Sequence, residues 1–269
     1  MGKSSPYLVK PDSKIKLSDY DPSDTGKLKS KSRAEAILDK HRKRLFEMQQ
    51  LIYAEANHAL LVVLQGLDAS GKDGTIRHIF TGVNPQGCQV TSFKKPTEEE
   101  LRHDFLWRVH RATPARGMIG IFNRSHYEDV LVVRVHGNLS AQGLKQRFAA
   151  INDFEEMLVE NGTTILKFYL HISQDEQRER LQARLDDPKK YWKVNPEDLK
   201  ERQRWNDYIA AYEDVFQHCS KKHAPWYIIP ANKKWYRNVA ISQILIEAME
   251  QLKLVYPKAK FDVSKMKVE

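Results

Sequence analysis

The sequence predicts an α/β domain with a parallel central sheet, on three observations. An unbroken apolar run of strand length, 60–65, leads into a glycine-containing loop and then into a segment able to open a helix. Further apolar strands recur at 89–93, 118–122, 163–172 and 226–229, and helical stretches separate them, the order that a parallel sheet requires. The 269 residues, 41% of them hydrophobic, suffice for one sizeable core with appended segments and are short for two independent enzymes.

Residues 1–32 are polar, carry Pro6, Pro11 and Pro22, and show no sustained period, so they read as an extended arm lying over the domain. From 33 to 57 the residues Ile37, Leu38, Leu45, Met48, Leu51 and Ile52 form a helical stripe that feeds the first strand. After the loop helix, Val83 to Gly87 is a turn before the second strand. Thr97 and Glu100 have capping-box spacing and predict a helix running to about Arg111. Pro114 and Gly117 end that region before the strand at 118–122. A helix over 141–160 closes at Asn161-Gly162, a C-cap pair, ahead of the long strand at 163–172. Residues 174–185 read as a helix, 196–218 as a polar helix and 235–252 as a final amphipathic helix buried within its own domain. The main domain is thus 33–257, with a lid at about 178–205, and 258–269 is a tail.

The loop meets the template G-x-x-x-x-G-K through Gly66, Gly71 and Lys72. Such a loop converges backbone N–H groups on an oxyanion, sets a helix N-terminus behind them, and adds one ammonium. Gly66, Ala69, Ser70, Gly71, Lys72, Asp73, Gly74 and Thr75 are therefore the candidate phosphate contacts. Asp73 stands where a Ser or Thr commonly holds Mg²⁺. Together with Asp68 it would repel an approaching triphosphate unless a cation sat between them, so the loop is expected to bind metal and phosphate together.

Ligands of an open parallel sheet sit beyond the carboxyl ends of its strands, where Asn123-Arg124-Ser125 also lies. Arg124 can donate two parallel hydrogen bonds to phosphate. Asn123 offers only a carbonyl oxygen to a cation, which leaves Glu128 and Asp129 as the nearest carboxylates to share the task. Arg178, Arg180, Arg184, Lys189, Lys190 and Lys193 crowd a stretch broken by Pro188, as expected of a basic lid over a phosphoryl donor. Loop, strand end and lid together describe a phosphotransferase, and if its acceptor is itself a phosphate, proton abstraction need contribute little. Alignment and charge neutralisation would then carry catalysis.

The net charge of +9 and pI near 9.3 point to a polyanionic partner. Only Tyr191 and Trp192 offer stacking platforms beside the basic run, which disfavours a nucleic-acid binder. No apolar run reaches the roughly 18 residues of a membrane span. Cys88 and Cys219 form no framework, and the absence of an apolar leader fits a cytoplasmic location. The stretch His218 to His223 is at most half of a zinc site.

These motifs resemble polyphosphate kinase family 2. The match lies in Gly66 to Gly74 (GLDASGKDG), Asn123 to Asp129 (NRSHYED), Arg184 to Lys193 (RLDDPKKYWK) and Ala224 to Asn232 (APWYIIPAN), over about residues 20–257. The resemblance implies a three-layer P-loop kinase fold of the thymidylate-kinase-like kind with a helical lid. It implies transfer of the terminal phosphoryl group of inorganic polyphosphate to a nucleotide with Mg²⁺, which Mn²⁺ could replace. Carried over by position, Asp68 would order the metal and orient the acceptor, Lys72 would neutralise transition-state charge, Arg124 would hold phosphate, and Arg184 would close from the lid. Asn123 stands where the family often has Asp, and with the residues after it resembles the branch that accepts both AMP and ADP, forming ADP and ATP. The metal set would be Asp68, Asn123 and Glu128. Arg178, Lys189 and Lys193 would meet donor phosphates, and Lys94, Lys95, Arg108 and Glu128 the acceptor. Guanine nucleotides as substrates and a homo-oligomer, dimer or tetramer, are further implications, with neither nucleic acid nor membrane as partner. The positive excess would form a track for the donor chain. The alternative is an ATP-dependent nucleotide or small-metabolite kinase of the same fold, against which the missing Ser/Thr after Lys72 counts.

Overall fold

The computed structural model describes residues 5–268 of the chain. In chain order its elements are α1 (Lys31–Glu55), β1 (Ala59–Gln65), α2 (Lys72–Ile79), β2 (Cys88–Ser92), α3 (Glu98–Leu101), α4 (Trp107–His110), β3 (Ile119–Asn123), α5 (Glu128–Val135), α6 (Ala141–Glu160), β4 (Thr163–His171), α7 (Gln174–Leu185), α8 (Pro196–Gln203), α9 (Trp205–Cys219), β5 (Trp226–Pro230) and α10 (Lys234–Gln251). The five strands are all parallel, in the order β2-β3-β1-β4-β5, as the alternation of strands and helices predicts.

β1 lies at the centre and is buried along its whole length. Its period of two sends Leu61 and Val63 into a core shared with α5, α6 and α9, and Leu60, Val62 and Leu64 into one shared with α1, α2 and α10. Each such side chain contributes roughly 1.5–3 kcal/mol. The strand is thereby pinned between two helical layers, and the point where its loop begins is fixed. Ser30, Ser140 and Ser173 accept backbone hydrogen bonds at the starts of α1, α6 and α7. The cap at Ser173 turns the chain into α7 just beyond β4, which carries that helix across the loop.

Three elements depart from the sequence reading, each for a local reason. The helix expected over 97–111 is two single turns: the Thr97–Glu100 capping box starts α3, but the Asp104 carboxylate accepts from the Leu106 N–H at 2.9 Å and restarts the chain as α4. The polar helix expected over 196–218 breaks at Arg204, whose φ of −93° and ψ of 21° are not helical. The break divides α8, which buries no residue, from α9, which buries six. α5 was not anticipated, because its valines are poor helix formers. It forms by packing on α9, to which Arg134 is tied through Asp214 at 2.5 Å.

The arm runs back along the outer edge of the sheet. Leu8 bridges Tyr227 in antiparallel sense, Val9 N–H donates to Trp226 O at 2.9 Å, and Ile228 N–H donates to Tyr7 O at 2.9 Å. The edge of β5 is thus partly covered. Residues 1–4 of the arm and Glu269 of the tail lie outside the described residues. Among the described residues no helix is long and apolar enough to cross a membrane.

Candidate active site

β1 and β3 are neighbours with Leu64 opposite Asn123, so the loop after β1 and the segment Asn123-Arg124 emerge side by side at the carboxyl edge. Gly66 and Gly71 have φ of +146° and +103°. A Cβ at Gly66 would stand 2.8 Å from Ser70 Oγ, and one at Gly71 would stand 2.1 Å from Arg237 Nη1. Both positions therefore demand glycine for space as well as conformation. Ala69 and Arg124 also take positive φ, 61° and 62°, at a cost of about 1–3 kcal/mol each. Among the described residues, two of the five non-glycine positions at positive φ thus lie where the chain turns toward the cavity.

Lys72 folds back over the loop, its Nζ donating to Gly66 O at 2.6 Å and to Leu67 O at 3.3 Å. Burial, and then the charge of Arg124, push its ammonium down to about 8, against the pull of Asp68, Glu128 and Asp73. Arg124 donates to Asp68 Oδ1 at 2.6 Å and to Glu128 Oε2 at 3.4 Å. Its guanidinium is held above the ordinary value by Glu128 first, with Asp68 adding to that pull against the cost of burial. Asn123 Nδ2 donates to Asp73 Oδ1 at 2.6 Å. Two strand ends are therefore cross-linked by their own opposite or complementary groups, with phosphate-sized anions still to be accommodated.

Several residues that the sequence reading gave no site role shape this loop. Arg180, counted there only as part of the basic run, donates to Ala69 O at 3.0 Å and Ser70 O at 2.8 Å, and to Ala231 O and Asn232 O across the site. Gln177 donates to Asp68 O at 3.0 Å, and the Gly66 N–H donates to Tyr212 Oη at 3.2 Å. Arg237 donates to Ser70 O at 3.3 Å from the α10 side. The carbonyls of the loop thus face protein donors, and of its N–H groups those of Gly66 and Ser70 are taken by Tyr212 Oη and Leu67 O. Nothing in the sequence marks Tyr212 or Arg237, since each sits in an amphipathic helix far from the loop along the chain.

A cavity of about 1180 Å³ opens over the loop. It exceeds the roughly 300–1,000 Å³ usual for one ligand, as two substrates require. Asp68, Ala69, Gly71, Lys72, Asp73, Gly74, Lys94, Asn123, Arg124, Arg184 and Lys193 line it. Gly66, Ser70 and Thr75 lie buried behind that surface. Glu128 lines a smaller hollow of about 40 Å³ that shares Asp68 and Arg124 with the large one. Arg184 rests on Asp198 at 3.2 Å, within the lid. Other predicted contacts are not brought into the cavity. Arg178 points outward to Asp175 at 3.5 Å, and Lys95 and Lys189 are exposed. Arg108 lies over the Phe93 ring and donates to Lys94 O at 2.9 Å, bracing the segment that carries Lys94.

Behind Asn123-Arg124 the chain is anchored in the core. His126 Nε2 and Tyr127 Oη meet Glu155 Oε1 at 3.1 and 2.9 Å, and Lys167 Nζ meets Glu155 Oε2 at 2.5 Å, all of them buried. Burial raises the Glu155 carboxyl, but Lys167 and His126 outweigh it and hold it below its ordinary value. Lys167 also donates to Cys219 O at 2.7 Å. This network ties the second motif to α6 and β4.

The donor set fits a hard cation. Asp68, Asp73, Asn123 and Glu128 supply oxygen atoms only, and Mg²⁺ characteristically takes one or two carboxylates together with phosphate oxygens and water. Among the described residues no group of three or more His, Cys, Asp or Glu that could hold a metal ion is present.

Residues 28–256 match the model of the family described as polyphosphate kinase 2. The chain is 51% identical over 98% of its length, and 99% of the relative's, to the AMP/ADP-polyphosphate phosphotransferase of Meiothermus ruber. It is 47% identical, over 85% of its own length and 83% of the relative's, to the ADP-polyphosphate phosphotransferase of Rhodopseudomonas palustris. The crystal structure of polyphosphate kinase 2 from Arthrobacter aurescens superposes with a TM-score of 0.91 at 46% identity, covering 97% of this chain and 96% of that one.

Proposed function

The chain belongs to the polyphosphate kinase 2 family, and we propose that it moves the terminal phosphoryl group of inorganic polyphosphate onto AMP and ADP, yielding ADP and ATP. The observation that carries this reading is the end-to-end likeness to a relative named for both acceptors. Asp68, Lys72 and Arg124 at the ends of adjacent strands supply the chemistry in support.

The loop N–H groups and the Lys72 ammonium bind the donor's terminal phosphate. Arg124 releases Asp68 and grips a phosphate through two parallel hydrogen bonds. Arg184 leaves Asp198 as the lid shuts, adds positive charge over the transferring group and excludes water. The acceptor is an ionised phosphate, so the bond to its oxygen forms as the bond to the shortened polyphosphate breaks, with little call for a general base. Mg²⁺, or Mn²⁺ in its place, would be held by Asp68, Glu128 and Asn123 and supplies neutralisation of phosphoryl oxygens. Both Lys94 and Lys193 line the cavity, and the proposal assigns Lys94 to the acceptor and Lys193 to the donor. Guanine nucleotides as further acceptors, a homo-oligomeric assembly and a cytoplasmic location complete the proposal.

One set of incubations tests it: protein, Mg²⁺ and polyphosphate with AMP or ADP in separate tubes, and parallel tubes with ATP as donor. ADP and ATP appear in the polyphosphate tubes. A protein active only with ATP as donor refutes it. The basic surface acts as the donor's track, so the KM for polyphosphate rises with ionic strength. A KM unchanged across a tenfold rise in salt removes the track.

A further inference from the structure

Arg237 is the anomaly of the site. It is 1% exposed, yet among the described residues its guanidinium meets only neutral partners: Ser70 O at 3.3 Å, and Asn238 Oδ1 at 3.1 Å from Nε and 2.9 Å from Nη2. Burial and the neighbouring Arg180 push it down to about 9, and among the described residues no carboxylate acts on it in return. Its neighbour Arg180 shows the usual solution, since Glu176 stands 2.8 Å from its Nε. A buried cation with no counterion costs stability that the fold has declined to recover with an acid.

The loop is also shaped around this side chain. The Cβ that Gly71 lacks would lie 2.1 Å from Arg237 Nη1, and that of Gly74 would lie 3.6 Å from Nη2. Gly71 therefore admits the guanidinium against the loop backbone, while at Gly74 a Cβ would meet it at ordinary contact distance. Arg237 belongs to the wall of the large cavity.

We infer that Arg237 is a positioning residue for the phosphoryl donor, a buried cation backing Gly71 and Ser70 whose missing counterion is the polyphosphate bound on the opposite side of the loop. It acts in two ways. Its hydrogen bond to Ser70 O sets the peptide whose N–H groups face the donor, and its charge adds to the field at the donor phosphates in a site screened from water. The inference rests on the polyphosphate reading of the cavity.

The test compares R237M and R237K with the wild type by steady-state kinetics and by thermal melting with and without tripolyphosphate. In R237M the KM for polyphosphate rises roughly tenfold while the KM for ADP stays within about twofold, as expected when one charge-assisted contribution to a single substrate is lost. The melting temperature without ligand does not fall, because an unpaired buried charge has been removed, but the upward shift given by tripolyphosphate shrinks. R237K keeps the charge and restores most of that shift. A structural role would give the opposite result, a lower melting temperature in both variants with the tripolyphosphate shift and the polyphosphate KM unchanged, and would overturn the inference. If R237M does not fold, R237K decides alone: a tripolyphosphate shift far below that of the wild type overturns it. A wild type inactive with polyphosphate would sink the donor assignment separately, while tripolyphosphate protection still reports on Arg237.

Discussion

The Arg124 guanidinium sits 2.6 Å from the Asp68 carboxylate, joining the end of β3 to the loop after β1. The group suited to grip phosphate and the group suited to order a cation thus neutralise each other in the substrate-free protein. On the proposed function, a metal arriving with its phosphates would exchange these partners, carboxylate to cation and guanidinium to anion.

Replacing Asp68 by Asn tests that exchange. The pair is partly exposed, its side chains 39% and 22% accessible, so its contribution to stability is at most about 1 kcal/mol. D68N therefore melts close to the wild type, but its kcat/KM falls roughly 10²–10³-fold and its half-saturating Mg²⁺ concentration rises. Metal titrations at fixed polyphosphate and ADP read both effects. Wild-type activity in D68N would remove the carboxylate from the reaction.

The pH profile follows from Lys72. With the ammonium titrating at about 8, it is charged below that pH and neutral above it. The kcat/KM for polyphosphate, which reports the free enzyme, falls by about tenfold per unit above pH 8. Bound phosphate stabilises the ammonium, so the corresponding limb in kcat lies at higher pH. The linkage has the opposite sign for stability: the folded value lies below the ordinary lysine value near 10.4, so Lys72's contribution to substrate-free stability improves as pH rises between the two. Parallel profiles of kcat and kcat/KM with coincident alkaline limbs would contradict this assignment.

How much of this site was legible in the sequence depends on how local each part is. Gly66, Gly71 and Lys72 lie within one loop, and the strand before and helix after them are contiguous, so pattern alone places them. Asn123-Arg124 required the extra inference that parallel strands share a carboxyl edge, which the pairing of Leu64 with Asn123 bears out. Arg237 and Tyr212 touch the loop from helices more than a hundred residues away, on buried faces where helical spacing distinguishes neither from its neighbours. The break at Arg204 and the restart at Asp104 are decided by side-chain hydrogen bonding and burial, which helical spacing does not encode. The valine-rich α5 is helical because α9 covers it, so its own propensity gave the wrong prior.

Arg184 and Asp198 report on the lid. In the present arrangement they pair at 3.2 Å, so the arginine is held within the lid itself. R184A loses roughly 10²–10³-fold in kcat with a smaller change in KM, because the missing charge acts over the transferring group. D198N leaves Arg184 free and lowers kcat far less. Equal losses in kcat for the two variants would make the pair a structural clasp.

The buried Lys167–Glu155 pair gives a stability prediction whose sign depends on which partner is removed. K167M leaves Glu155 charged in the core, a defect that costs about 3–5 kcal/mol, which for a domain of this size lowers the melting temperature by on the order of 10 °C. Replacing both residues by apolar side chains of similar volume removes the stranded charge and recovers part of that loss. Recovery is incomplete for a reason specific to this protein. Glu155 also accepts from Tyr127 Oη at 2.9 Å and lies 3.1 Å from His126 Nε2. An apolar residue at 155 leaves those two groups without an acceptor, next to the segment that presents Arg124. The double variant therefore melts above K167M and below the wild type, and loses activity through a displaced Arg124. A double variant that matches the wild type in melting and in kcat would show that the network does no more than fill space.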